Sequence, residues 1–163
     1  MAQSTAAVEL AGCFGDAAAE GRALASMVRA WLNQLRPDRA AELGAGAVAK
    51  LRETADRAGL PWALLYEGLA AEFGAKPAAA VPLFEESIAI ADELGWRLIG
   101  ARSRINLGFA LVDLGKLAEA RDALVRGLPV AVEMGDRYVI PIALGAFGAI
   151  AARTGRPRQL YAS

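Results

Sequence analysis

Histidine is absent from the 163 residues, and Cys13 is the only cysteine. An intrachain disulfide is therefore excluded, the usual soft ligands of a zinc or iron site are missing, and no nucleophile–imidazole pair can be assembled. No metal or cofactor is expected. Net charge is also missing, since 18 Lys and Arg balance 18 Asp and Glu. No summed field draws the chain to nucleic acid or to an anionic membrane. The arginine clusters "GWRLIGARSR" (95–104) and "RTGRPR" (153–158) carry no helix-turn-helix pattern around them, so neither nucleic acid nor membrane is expected as a partner. The longest apolar run, 138–152, stops at Arg137 and Arg153, short of the ~20 residues that span a bilayer, and reads as a core helix. The first residues lack the basic and apolar regions of a secretory signal and include Glu9, which predicts a cytoplasmic location. Cys13, in "LAGCFG", reads as a small buried apolar residue. Gly115-Lys116 is not a phosphate loop, because Ala110 and Leu117 stand where a glycine and a hydroxyl are needed.

What the chain has is apolar content and a period. It is 55% hydrophobic and 22% charged, enough for one folded domain over 1–163. Gly68, Gly108 and Gly148 recur every 40 residues, as do Ala80 and Ala120, Phe84 and Leu124, Gly95 and Gly135, and Gly115 and Gly155. "ADELGWR" at 91–97 returns as "AVEMGDR" at 131–137. Each unit reads as two helices, turning near Gly74, Gly115 or Gly155 and closed by Gly59, Gly95 or Gly135, where a residue past the helix end takes a positive φ. Ala80, Phe84, Ser87 and Ala91 form one helical stripe, repeated by Ala120, Leu124, Gly127 and Ala131. No strand-like alternation is present.

Glycine inside a helix costs about 1 kcal/mol relative to alanine, so three at one phase of a repeat imply close approach of helices. Gly108 and Ala120 are the expected contact points, with Leu107, Leu111 and Leu124 around them; the competing explanation is a composition biased toward small residues. Pro82 and Pro129 fall inside second helices and should bend or delay them, whereas Pro77 suits a first turn. The repeats are clear over 60–155 and irregular over 1–59. Residues 37–58 are compatible with one long helix or two short ones, one being favoured. Residues 156–163 read as a truncated final helix or a tail.

Leu107-Gly108, Leu111, Gly115, Ala120 and Leu124 resemble the tetratricopeptide pattern of small and large residues. The 40-residue unit, closing on Glu or Glu-Met/Leu-Gly, then Trp or Asp, then Arg, is similar to the long-helix variety in the C-terminal regions of LuxR- and AfsR-type bacterial transcription regulators and related signalling ATPases. "FGDAAAEGRAL" (14–24) resembles a turn and second helix of those regions. The resemblance implies an all-α, right-handed superhelix of antiparallel helix pairs with about 3–4 repeats. Because the usual unit is about 34 residues, the helices here should be longer. No DNA-binding domain of such a regulator lies in this chain.

The carboxylates offer little chemistry. Glu85-Glu86 point apart on a helix, Glu53 with Asp56 and Glu119 with Asp122 lie beside arginines, and no carboxylate stands out as isolated in an apolar stretch. The expectation is a non-catalytic module. Stacked helix pairs instead supply a concave surface, and the resemblance implies that Trp62, Leu65, Tyr66, Leu69 and Phe73 line it in one unit and Arg102, Ile105, Asn106, Phe109 and Asp113 in the next. Such a groove suits a protein or peptide segment, for example an amphipathic helix. The Lys and Asn clamp for a peptide carboxylate found in some family members is absent; Arg102 and Asn106 are the comparable donors. Phe73 and Phe109 are equally compatible with core packing, while Trp62, after Pro61, reads as an exposed contact. The helix at 137–153 is apolar nearly all round and should be covered on several sides. Either the chain belongs to a longer array, or a face comprising Tyr138, Ile142, Gly145, Gly148 and Ala149 pairs with another molecule, including a second copy in a homodimer. A second reading is a small-molecule sensing domain severed from a transcription regulator, with a closed pocket instead of an open groove. An enzyme would require a buried carboxylate beside an arginine, for which Asp113 and Arg102 are the pair to inspect.

Overall fold

The computed structural model describes residues 2–54 and 56–155, and the expected final helix or tail at 156–163 lies outside them. Among the described residues there are eight helices and no strand: α1 (Ala2–Phe14), α2 (Ala17–Asn33), α3 (Pro37–Glu53), α4 (Leu60–Phe73), α5 (Pro77–Glu93), α6 (Arg97–Asp113), α7 (Leu117–Glu133) and α8 (Val139–Arg153). None is long and apolar enough to cross a membrane. Region 37–53 is one helix, and α3, α5 and α7 begin 40 residues apart. The repeat therefore extends back through the segment that reads as irregular.

A turn sets the rhythm. Gly15, Leu35, Ala75, Gly95, Gly115, Gly135 and Gly155 all have φ between 55° and 75°, one past the end of each of α1, α2, α4, α5, α6, α7 and α8. After the first six of them the next residue returns its N–H to a carbonyl five back, as in Lys76 to Ala71, Lys116 to Leu111 and Asp136 to Ala131. This satisfies carbonyls that the helix leaves unpaired. Gly59 differs from expectation: its φ is −77°, and it precedes α4 because a Cβ there would meet Leu51, Asp56 and Arg22 within about 3 Å. Pro82 and Pro129 do not interrupt α5 and α7. Both lie on solvent faces, as do Ala78 and Val125 four residues earlier, so water takes the carbonyl that each proline leaves without a donor.

Consecutive helices pack as antiparallel pairs. In addition α2 touches α4, α4 touches α6 and α6 touches α8, whereas α3, α5 and α7 do not touch one another. The even-numbered helices thus form an inner, concave layer of a helical-repeat solenoid, and the odd-numbered ones an outer layer. This places α2 as the first helix of its unit, not the second. Cys13 is exposed, contrary to expectation, because α1 packs against α2 alone and shows its other faces to water. The apolar α8 likewise buries one face only, through Val139, Ala143, Ala146 and Ile150.

The two layers meet at glycine. A Cβ on Gly68 would lie 2.5 Å from Phe84, and one on Gly108 would lie 2.6 Å from Leu124 Cγ and 3.1 Å from the Ala120 carbonyl. Phe84 and Leu124 are fully buried and cannot swing aside. At Gly148, the third member of the series, nothing lies within 4 Å. The same substitution should therefore act in opposite directions. Gly108→Ala should cost up to about 2 kcal/mol net, since overpacking of about 1–3 kcal/mol opposes the helix-propensity gain of about 1 kcal/mol. Gly148→Ala, in dilute solution, should stabilise by up to about 1 kcal/mol. Urea denaturation measures both; equal effects at the two sites would contradict the packing described.

Candidate functional site: the concave face

Four inner helices surround a concave space of about 410 Å³. From α2 come Arg29, Leu32 and Asn33; from α4, Leu65, Tyr66, Leu69 and Phe73; from α6, Arg102 and Asn106; and from the start of α8, Tyr138, Val139 and Ile142. The period explains the selection. Arg29 and Asn33 stand 40 residues before Leu69 and Phe73, and Tyr66 and Asn106 are related in the same way. Counting back by one unit would have identified the α2 contribution, which sequence reasoning missed.

The expected groove residues divide. Leu69 and Phe73, the latter 59% exposed, offer apolar surface, whereas Leu65 is almost fully buried and forms floor. Ile105 is wholly buried in the core, so it presents nothing to a ligand. Phe109, 37% exposed, and Asp113, exposed, are outside the set that lines the concavity. Trp62 is half-buried and lines adjoining hollows instead. The proposed self-association face also divides: Tyr138 and Ile142 turn toward the concavity, Gly145 and Gly148 are open, and Ala149 is partly buried.

The polar groups are mostly committed. Arg102 donates to Asp136 at 2.5 Å, so the pair with Asp113 inspected for catalysis does not form. Burial works to raise the Asp136 pKa, but the Arg102 guanidinium and the N–H groups of Tyr138 and Val139 hold it below its usual value. Asn106 donates its amide to the Arg102 carbonyl at 2.9 Å, within its own helix. Each residue therefore has its orientation set by an internal bond, with the remaining N–H donors of the guanidinium and the amide not used by those bonds. Arg102 also lies 5.6 Å from the centre of the Trp62 ring, a cation–π distance, and Trp62 stacks on Tyr66 with centroids 5.7 Å apart and planes 27° apart. These contacts hold the rings in place. Of the carboxylates weighed for chemistry, Glu86 pairs with Arg52, Asp56 with Arg22 and Glu119 with Lys116.

One carboxylate departs from expectation. Glu72, in "LAAEFG", has a buried Oε2 without a hydrogen-bond partner. Burial first, and then the nearby Asp113, push its pKa up to about 8. Its apolar neighbours were the available signal. It lies outside the lining of the concavity and has no nucleophile beside it. Because the folded value lies above the unfolded one, the fold retains a proton that the unfolded chain has lost between about pH 4.5 and about pH 8, and stability falls as pH rises through that window. Glu72→Gln should raise Tm at pH 9, by roughly 2–4 °C for each kcal/mol relieved, and leave it unchanged near pH 4; an equal shift at both values would show that the carboxyl's charge is not the cause. Among known proteins, neither a family model nor a curated sequence matches the chain.

Proposed function

We propose that this chain is a non-catalytic interaction module that binds a segment of another protein in the concave face. The observation that carries the reading is the convergence of four inner helices on one open, largely apolar hollow of about 410 Å³, in a fold whose polar groups are mostly paired internally. Leu69, Phe73 and Ile142 provide sockets at spacings that suit an amphipathic helix, and a scaffold with no histidine and one thiol offers no nucleophile–base pair. The resemblance to tetratricopeptide units, and to the repeat regions of LuxR- and AfsR-type regulators, supports a regulatory or scaffolding role in the cytoplasm. The volume also falls in the range of small-molecule sites, which supports ligand sensing as the second reading.

The exposed face of α8 supports self-association. Leu144 is 58% exposed, and a Cβ added to Gly145 or Gly148 beside it would meet nothing within 4 Å, so another helix can approach closely. We propose this face as a homodimer contact.

Peptides selected from a random display library on the wild-type protein should lose about tenfold or more in affinity for Phe73→Ser/Ile142→Ser. They should bind Val125→Ser/Val132→Ser, altered on the exposed outer face of α7, as they bind wild type. Equal losses in both variants would contradict the groove assignment, and selection of small metabolites but no peptides would favour sensing. For the second proposal, sedimentation velocity should show a concentration-dependent dimer in the wild type and a monomer in Leu144→Asp. A monomer at all concentrations in the wild type would overturn it.

A further inference from the structure

The repeat is broken at one functional-looking place. Positions 22, 62 and 102 are equivalent, as are 56, 96 and 136. In the first of these sets Arg22 pairs with Asp56, and in the third Arg102 pairs with Asp136, both at 2.5 Å. The aspartates also order the turns that follow: Asp56 accepts the N–H groups of Ala58 and Gly59, and Asp136 accepts that of Tyr138. The middle set is Trp62 and Trp96. Here the ion pair is gone, no aspartate accepts the N–H groups of the turn before α6, and the Trp96 indole is left 37% exposed. The lost turn acceptor, the missing ion pair and an indole in water all work against stability.

What the exchange creates is a second hollow of about 450 Å³, lined among others by Arg22, Ser26, Arg29, Trp62, Tyr66 and Trp96. It shares Arg29 and Tyr66 with the first concavity, so the two form one continuous surface. Three aromatic rings border it, and no carboxylate lines it. Arg22 is neutralised by Asp56. Arg29, exposed, has no carboxylate within 4 Å among the described residues. A guanidinium without a carboxylate partner, beside the Tyr66 phenol and stacked rings, is complementary to an aromatic group with an anion next to it.

We propose that this hollow is a specificity site for an aromatic residue flanked by Asp or Glu in the bound protein segment. The proposal rests on the reading of the concave face as a protein-binding groove and names the feature that the groove selects. The ring packs between Trp62 and Trp96, and the neighbouring carboxylate pairs with Arg29. Binding should weaken as salt is added, because the pair is solvent-accessible.

The test follows the indole Nε1–H resonances of Trp62 and Trp96 by NMR during titration with capped pentapeptides Gly-Glu-Tyr-Glu-Gly, Gly-Lys-Tyr-Lys-Gly and Gly-Glu-Ala-Glu-Gly, and with 2-naphthoate. The acidic tyrosine peptide should saturate with a dissociation constant on the order of 1 mM, at least tenfold tighter than the other two peptides. Arg29→Gln, at an exposed site, should remove the advantage of Glu over Lys. Trp62→Arg/Trp96→Asp, which restores the ion pair used by the neighbouring units, should fold and lose tyrosine-dependent binding. The proposal is overturned if the three peptides bind alike, if the double variant binds like wild type, or if 2-naphthoate binds these rings more tightly than any peptide, which would assign the hollow to a free aromatic acid. Display-selected peptides that still depend on Phe73 and Ile142 while the acidic tyrosine peptide fails would overturn this proposal alone. Failure of both sets would remove the groove reading as well.

Discussion

The structure depends on the close contact of a glycine on each of the inner helices α2, α4 and α6 with a large buried side chain on the outer helix that follows. At Gly68 and Gly108 the helices are so near that one added methyl group would collide with Phe84 or Leu124. Glycine in a helix is unfavourable by about 1 kcal/mol, and the contact recovers this by burying a whole phenyl or isobutyl group, worth about 1.5–3 kcal/mol. The first unit reaches the same end differently: Val28 occupies the position of Gly68, Gly44 that of Phe84, and the tight contact moves to Gly21 against Leu51. Small and large residues have changed sides, yet the helices keep their 40-residue spacing.

Curvature follows from those contacts. Inner helices touch their inner neighbours across units and outer helices do not, so the inner faces converge. Within a unit, the start of the inner helix is tied to the end of the outer one by Arg57 to Glu93 and Arg97 to Glu133, the same pair one repeat apart; exposed pairs of this kind add little energy. In the interior, Ser87 donates to the Pro61 carbonyl at 2.9 Å and meets Ser103 at 2.8 Å, a buried polar link between α4, α5 and α6. The concave face is then what remains of the inner helices once packing is satisfied. Its ligands meet a surface on which Arg102 and Asn106 already make internal hydrogen bonds, while Arg29 has no carboxylate partner among the described residues.

Much of the fold was legible in the sequence because the repeat is carried by small residues in phase. Gly68, Gly108 and Gly148 identify the inner helix, and Phe84 and Leu124 the outer one. The first unit was obscured by the exchange of Val28 and Gly44, which hides the period although the helix starts obey it. Turns were less legible: Leu35 and Ala75 adopt left-handed φ without being glycine, and Gly59 does not adopt it. For the concave face, the groove positions implied by the resemblance include Tyr66, Leu69 and Phe73 but do not separate Ile105, which packs inward, from its neighbours. Side chains that share a helix face still differ in depth, and depth is set by the adjoining unit. The Glu72 carboxyl shows the same limit, since its burial depends on helices distant in sequence.

The most direct test of the central contact is a double-mutant cycle on Gly68 and Phe84. Phe84→Ala alone should be strongly destabilising, by about 3–5 kcal/mol, and Gly68→Ala alone should also destabilise. In the Phe84→Ala background the added methyl group enters vacated space, so Gly68→Ala should there become neutral or stabilising, giving a coupling energy of at least about 1 kcal/mol. If the two losses simply add, the glycine is not making room for the phenyl ring, and the account of how these helices pack is wrong.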